Sequence, residues 1–320
     1  MEVLHDGDAQ VPSDVRTAVT IGAYDGIHRG HQEVLRQLRS KADSLGLATA
    51  VVTFDVHPAL VLRPENAPRI LTNFEQRLEL FEAAGVDYLY LVRFTAERSR
   101  TDDDVFGREV FVDALRAQAV VVGEDFHFGR GRGGNVESLT TLGEEHGFEV
   151  FGIGLKADDG ATEPISSTAI RRSLAGGDVA AATEMLGRPY EIRGTVTQGD
   201  QRGRTIGFPT ANVPVDSRTA WPADGVYAGW CRILAGDGAP DHSERHPCAI
   251  NIGRRPTFHQ HAEHSVLEAH LIGYSGDLYD KVVAVEFVDF LRSEHRFSGI
   301  DELSEQLKKD IEHARAILKV

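Results

Sequence analysis

The sequence predicts two domains of different class. Residues 1–186 form a doubly wound α/β domain with a parallel sheet, and residues 187–320 form a small antiparallel β-barrel followed by a terminal helix. Three observations predict this. Apolar strands and amphipathic helices alternate through the first part of the chain. At Gly187-Arg188-Pro189 the pattern changes to short strands rich in Gly, Pro, Thr and Val, and the end of the chain returns to helical spacing. At 320 residues and 41% apolar content, the chain is too long for one ordinary domain and can fill two cores.

The elements follow in order. Residues 17–22 (TAVTIG) read as a strand, and the helix after them places Val34, Leu35 and Leu38 on one face. A strand at Ala48–Phe54 is followed by a helix opened by the capping pattern Thr72-x-x-Glu75, and then by a strand at Tyr88–Val92. Thr101-x-x-Asp104 opens another helix. Ala119–Gly123 reads as a buried strand, Val136–His146 as a helix and Glu149–Ile153 as a strand. Two short helices, Ser167–Ala175 and Val179–Leu186, close the first domain. The barrel strands are expected near 191–197, 225–234, 247–252, 265–272 and 281–290, with Gly236–Pro247 a polar loop. Ser298 is placed to cap the last helix, along which Ile300, Leu303, Leu307, Ile311 and Ala314 recur at helical spacing.

Composition excludes several function classes. A net charge of −15 argues against a broad surface for nucleic acid or anionic lipid, since either needs excess Lys and Arg. Any phosphate ligand must be held by local groups. The two cysteines, Cys231 and Cys248, are too few for a disulfide framework or a four-cysteine zinc site and suit a reducing compartment, so a cytoplasmic location is expected. The opening MEVLHDGDAQ has no signal-peptide character, and no stretch approaches a membrane span.

The first chemical constellation is Gly22-Ala23-Tyr24-Asp25-Gly26-Ile27-His28-Arg29-Gly30-His31, where the first strand gives way to the first helix. Glycines permit close backbone approach, helix N-terminal amides favour anions, and two imidazoles one turn apart can donate to one phosphate. A bare H-x-x-H fits equally a solvated helix face or half a metal site. No P-loop sequence exists in the chain, so nucleotide binding must use this other device. Ser166, Ser167 and Thr168 offer hydroxyls at a helix start with Arg171 one turn later, an anion grip or simply an N-cap. Gly129 to Gly134 spell G-x-G-x-x-G but lie late in the domain and away from their strand, which disfavours a dinucleotide site and leaves a flexible glycine loop as the plain alternative. His57, before Pro58, is either a phosphate-positioning group or structural.

The second constellation is Gly203-Arg204-Thr205-Ile206-Gly207-Phe208-Pro209-Thr210-Ala211-Asn212. Its glycines can wrap phosphates, and the Thr210 hydroxyl and Asn212 carbonyl are hard oxygen donors suited to magnesium. Taken alone it is also a turn followed by a strand. Gly225-Val226-Tyr227, Ala249-Ile250-Asn251-Ile252-Gly253, Arg255-Pro256-Thr257 and Leu267-Glu268-Ala269-His270 follow in order. In the last of these, Leu267, Ala269 and Leu271 alternate with Glu268 and His270, so Glu268 points away from the apolar face.

The pattern G-x-Y-D-G-x-H-x-G-H resembles the nucleotidylyltransferase superfamily, and S-S-T-A-I-R resembles that superfamily's later triphosphate-clamping element. Asp125, Phe126 and Phe128 match the G-x-D-F-x-F-G segment of flavin-adenylating enzymes. The barrel motifs resemble riboflavin kinases. Over residues 17–318 the chain resembles the bifunctional prokaryotic riboflavin kinase/FAD synthetases, which implies a Rossmann-like nucleotidylyltransferase domain and a six-stranded kinase barrel. The resemblance assigns ATP phosphate contacts to Gly22, Tyr24, Asp25, Gly30, Ser166, Ser167, Thr168, Gly203, Arg204 and Gly207. It makes His28, His31 and Arg171 the adenylyl-transfer groups and Glu268 the kinase base. Flavin contacts fall to Asp125, Phe126, Phe128 and Asn251, and Mg2+ to Thr210 and Asn212.

The expected substrates are riboflavin, FMN, FAD and ATP, with no tightly bound prosthetic group, no nucleic acid or membrane partner, and self-association left open. Asp280 stands where relatives usually have Gly, Tyr274 where Phe is common and Val56 where Pro is common. Two rival readings share some of these residues. An adenylyl- or cytidylyltransferase of another substrate class would have H-x-G-H without the barrel motifs. A flavin-binding regulator on a decayed enzyme would not be expected to keep His28, His31, Thr210, Asn212 and Glu268 together.

Overall fold

The computed structural model describes residues 1–7, 9–154, 164–199, 203, 206–234, 244–254 and 265–320, apart from the side chains of Arg254 and Ser265. The chain divides into two compact units, Met1–Ser166 and Ser167–Val320.

The first unit is built on β1 (Glu2–His5), β2 (Thr17–Ile21), β3 (Ala48–Phe54), β4 (Tyr88–Val92), β5 (Ala117–Gly123) and β6 (Glu149–Ile153), in the sheet order β1-β4-β3-β2-β5-β6. Every pairing is parallel. The strands are almost continuously apolar because helices cover both faces. Val19, Ile21, Val52 and Val120 pack on one side with Phe106, Val110, Phe111 and Leu139. Ala18, Val51, Leu89 and Ala119 pack on the other with Val34, Leu35 and Leu38 of α1 (Arg29–Leu45) and Phe81 of α3 (Phe74–Ala83). The chain winds from β2 out through β3 to β4 and then crosses to β5 on the other side of β2. The crevice at the carboxyl ends of β2 and β5 is therefore the switch point where such sheets bind ligands.

Two helix starts read from the sequence are corrected, and two short elements went unread. Strand β1 carries no periodic signal, being a four-residue edge strand of which only Leu4 is buried. The capping box of α3 is Asn73 with Gln76, not Thr72 with Glu75, because the Thr72 hydroxyl is engaged with Asp25 and Gly26. Helix α4 (Asp103–Gly107) starts from Asp102 without a side-chain cap and runs into a π-helical stretch, Arg108–Ala114; Thr101 lies outside it. The short helix α2 (Pro58–Leu62) follows β3, and α5 (Val136–His146) is capped by Asn135.

In the second unit α6 (Ser167–Ala175) and α7 (Val179–Leu186) precede an antiparallel sheet of β7 (Tyr190–Thr195), β8 (Ala211–Pro214), β9 (Gly225–Ile233), β10 (His246–Arg254), β11 (Ser265–Leu271) and β12 (Val282–Arg292). The order is β7-β12-β9-β10-β11-β8. The outer strands meet where the Thr197 N–H donates to the Asn212 carbonyl at 2.8 Å, which brings the sheet nearly to closure as a barrel. Ile250, Ile252, Leu267 and Ala269 fill the interior with Tyr227 and Phe287. Helix α8 (Ile300–Leu318) lies on the outer face through Ile311, Ala314 and Leu318 against Ala228, Trp230 and Val288. The α8 N-cap is Gly299. Ser298 instead donates its amide and hydroxyl to the Glu302 carboxylate, at 2.8 and 2.6 Å. Of the loop expected at Gly236–Pro247, residues 236–243 lie outside the described residues, and His246 and Pro247 already belong to β10. Among the described residues no helix is long and apolar enough to cross a membrane.

Candidate active sites

The loop from Gly22 to His28 leaves β2 at the switch point. Tyr24, Gly26 and Ile27 all take left-handed backbone conformations, with φ of 49°, 85° and 37°. For Tyr and Ile this is strained and needs support from outside the loop. The Tyr24 hydroxyl shares a 2.8 Å hydrogen bond with Thr20. The buried Asp25 carboxylate accepts N–H groups from Leu71, at 2.9 and 3.1 Å, and from Thr72, at 3.2 Å. The Gly26 amide donates to the Thr72 hydroxyl at 3.0 Å. Asp25 thus ties the loop to the bend at 71–72 that leads into α3.

The tie delivers His28 to the N-cap of α1, where its Nδ1 accepts the His31 amide at 3.3 Å. In a neutral ring this bond assigns the proton to Nε2, making that atom a donor for an anion. His31 stacks on His28 at 3.7 Å between ring centroids, inclined by 17°, and Tyr24 leans on His31 at 4.9 Å. The His31 Nδ1 atom is buried with no hydrogen-bond partner among the described residues. Burial, reinforced by His28, holds the His31 pKa well below the usual histidine value. His31 can therefore serve as a neutral donor at a helix N-terminus, with His28 stacked beside it. Gly22 and Gly30 lie against the Tyr24 and His28 rings, where a Cβ would come within 3.1 and 3.2 Å.

Arg77 of α3, absent from the sequence-derived site, lies beneath this loop. Its guanidinium donates to Phe54 O at 3.2 Å from both terminal nitrogens and to Ala23 O at 3.4 Å. Burial lowers its pKa while Asp25, Asp55 and Glu75 raise it. A detectable sequence signal existed, because Phe74, Arg77, Leu78 and Phe81 share the core-facing spacing of α3 and a cation on that stripe needs a reason. His57 caps α2 by accepting the Ala59 amide at 3.2 Å.

The 123–135 segment separates into two parts. Asp125 and His127 are exposed beyond β5, and Phe126 is half-buried, stacked on Phe128 with centroids 5.4 Å apart. Phe128 itself is buried in the core against Phe106 and Phe111. Its backbone exchanges two 3.0 Å hydrogen bonds with Gly134, closing the glycine loop on itself. In the second unit Ala169, Ile170 and Leu174 form the buried stripe of α6, leaving Thr168 exposed and Ser167 and Arg171 half-buried. Ser166, also half-buried, ends the first unit.

The barrel builds its site from register. Across the sheet, Asn212 of β8 pairs with Glu268 of β11, Glu268 with Asn251 of β10, Asn251 with Val226 of β9, and Val226 with Arg292 of β12. Cross-strand partners share a face, so this row lies on the outer surface of the barrel while Leu267 and Ala269 point inward. Bulges in β12 around Val288 and Leu291 bring Arg292 into the row. A cavity of about 280 Å³ is lined by Thr210, Asn251, Glu268 and Glu294 with apolar walls from Phe208, Phe297 and Leu303. A second of about 510 Å³ is lined by Gly199, Asn212, Tyr274 and Tyr279. Thr210 lines both.

The turn before Thr210 is closed by the Phe208 amide on Gly203 O at 2.8 Å, with Gly207 left-handed at φ 87°. His270 fixes its exit by a 2.8 Å contact from Nδ1 to Pro209 O. Gly199 leaves room for Asn212, whose carboxamide any Cβ at 199 would overlap. Asp280 is left-handed at φ 61°, a conformation that glycine adopts without strain. Arg204 and Arg255, Pro256 and Thr257 lie outside the described residues.

Two clefts that share a threonine, with the Glu268 carboxylate in one and the Asn212 carboxamide in the other, suit transfer of a phosphoryl group from a nucleotide to an alcohol. An α/β unit with paired imidazoles at its switch point suits attack on a nucleotide phosphate. The two units together define a phosphate-transferring enzyme with two chemistries in one chain.

The comparisons agree. The FAD synthetase family model matches residues 10–169 and the riboflavin kinase family model residues 186–318. The chain is 38% identical over 299 residues to the bifunctional riboflavin kinase/FMN adenylyltransferase of Haemophilus influenzae, covering 93% of each. It is 37% identical over 292 residues to that of Escherichia coli K12, covering 91% of this chain and 90% of the other. A crystal structure described as a macrolide-efflux protein from Streptococcus pneumoniae matches with a TM-score of 0.86 at 31% identity, covering 98% of this chain and 99% of that one. The chain belongs to the bifunctional riboflavin kinase/FMN adenylyltransferase family.

Proposed function

We propose that this chain makes FAD from riboflavin in two steps, with the kinase chemistry on the outer face of the barrel and the adenylyl transfer at the His28–His31 pair. Residues 1–186 and 187–320 are the proposed functional domains; they differ from the compact units only in the assignment of α6 and α7. The observation that carries the reading is the row Asn212–Glu268–Asn251, which sets a carboxylate between an amide on each neighbouring strand at the junction of two clefts.

In the first step the riboflavin side chain enters the smaller cleft and ATP the larger. Glu268 takes the proton of the terminal ribityl hydroxyl as that oxygen attacks the γ-phosphorus, and ADP leaves. Thr210 and Asn212 would hold Mg2+. Their donors suit it: two neutral oxygens at the edge of the larger cleft, with Asn212 seated in the space left by Gly199, and the remaining ligands coming from phosphate and water. When bound, the ion neutralises charge on the phosphates.

In the second step the FMN phosphate, already an anion, attacks the α-phosphorus of ATP and pyrophosphate leaves. No general base is needed, so positioning and charge stabilisation carry the step. His28 and His31 donate to the phosphates and Arg77 supplies a buried positive charge beneath the loop; Ser166, Ser167, Thr168 and Arg171 remain the triphosphate grip that the sequence resemblance implies. Asp125 and Phe126 contact the flavin. Phe128, at 7% exposure, acts through Phe126 by stacking on it. Incubation with riboflavin and Mg-ATP, followed by chromatography, tests the reading: FMN and ADP precede FAD and pyrophosphate. Absence of both flavin products would refute it.

A further inference from the structure

The barrel cleft holds a second carboxyl group that the reaction above leaves unused. Glu294 follows β12 and lines the same cavity as Glu268, Asn251 and Thr210, with one side open to solvent. Its carboxylate accepts a hydrogen bond from the Asn251 carboxamide. It lies so close over Gly253 that any Cβ there would overlap it. Asn251 and Gly253 are two residues apart on β10 and share a face, the face on which Asn251 stands opposite Glu268. The sequence Asn251-Ile252-Gly253 therefore provides a side-chain amide and then a bare position over which the carboxyl folds.

The surroundings of Glu294 favour a ligand with hydroxyl groups. Its desolvation raises its pKa, Asp224 and Glu268 add to the rise, and Asn251 and Arg292 oppose it. Arg292 forks onto Asp310 at 2.8 and 2.7 Å, fixing the wall beside it. A carboxyl acceptor next to a carboxamide that both donates and accepts matches secondary alcohols, each of which donates once and accepts. The apolar side chains of Phe297 and Leu303 in the same cavity suit an attached ring system.

We propose that Asn251 reads the secondary hydroxyls of the ribityl chain and that Glu294 is the positioning residue that holds Asn251 for this, so that the terminal hydroxyl reaches Glu268. The inference rests on the riboflavin kinase reading and adds a source of substrate specificity to it.

Steady-state kinase kinetics on the full chain test it, with riboflavin compared with an analogue lacking one secondary side-chain hydroxyl. E294A is expected to raise KM for riboflavin by roughly ten- to hundredfold, the worth of a hydrogen bond to a charged group, with KM for ATP unchanged. Its preference for riboflavin over the analogue falls by a similar factor. G253A, which displaces the carboxyl without removing it, reproduces both effects, while E294Q retains most of the preference. An unchanged riboflavin KM and preference in E294A, or an equal rise in both KM values, would overturn the proposal. Should E294A fail to fold, E294D carries the test: the shorter side chain lowers the preference, and an unchanged preference overturns the proposal. Wild-type chain forming no FMN would instead strike at the kinase reading itself.

Discussion

Asn212 and Glu268 face each other as direct cross-strand partners on β8 and β11, with Asn251 next in the row. This pairing fixes the distance between the proposed metal-side oxygen and the proposed base by backbone register rather than by loop conformation. Asn212→Ala should therefore leave the base in place and raise the Mg2+ concentration for half-maximal kinase activity by about tenfold or more, the loss of one inner ligand. FAD formation from supplied FMN should not change. A magnesium titration of both half-reactions checks this.

Asp25 holds the strained loop that presents the histidines. Asp25→Ala leaves the amides of Leu71 and Thr72 without their acceptor inside the first unit, at an expected loss of roughly 1–3 kcal/mol per unsatisfied group. Adenylyl transfer should fall further than stability does, because Tyr24 and Ile27 lose what keeps them left-handed. Denaturation combined with FAD synthesis from FMN measures both.

His31 predicts an acid sensitivity. Its folded pKa lies well below the ordinary 6.5. Above pH 6.5 both folded and unfolded chains are neutral at this ring, so it costs nothing. As pH falls below that value the unfolded chain binds a proton that the folded chain refuses, until the folded pKa is reached. The first unit should lose up to about 1.4 kcal/mol per pH unit over that window, and His31→Gln should remove this slope. Both tryptophans, Trp221 and Trp230, belong to the second unit, so hydrogen exchange of the α1 amides is the suitable probe.

Gly134 separates a structural from a ligand-binding reading of the glycine loop. A Cβ there would lie 2.6 Å from Asp103 and 2.7 Å from the Phe128 ring. Gly134→Ala should destabilise the first unit by about 1–3 kcal/mol through overpacking and leave riboflavin phosphorylation untouched. Thermal unfolding of the chain with a parallel kinase assay tests it.

The alternation of strands and helices was legible because both faces of the parallel sheet are covered, which makes its strands continuous apolar runs. Edge strand β1 was not, since four residues with one buried side chain carry no period. The α3 cap was misplaced by one residue because the Thr72 hydroxyl found tertiary partners in Asp25 and Gly26. The motifs that line the barrel clefts and the β2–α1 loop stood out by their spacing, but the structural part each residue plays did not. Asp25 anchors a loop, Phe128 fills a core, and Arg77 and Glu294 reach the sites from segments without a motif. Long-range hydrogen bonds of this kind leave no trace in local periodicity.

On this reading one chain houses two independent phosphate-transfer sites. Measuring riboflavin phosphorylation and FMN adenylylation separately, in the wild type, in Glu268→Ala and in the double variant His28→Ala, His31→Ala, tests it most directly. Glu268→Ala should lose the first reaction by about 10²–10⁴-fold, as for removal of a general base, and keep the second. The double histidine variant should do the reverse. Full kinase turnover in Glu268→Ala, or loss of both reactions together in either folded variant, would contradict the account.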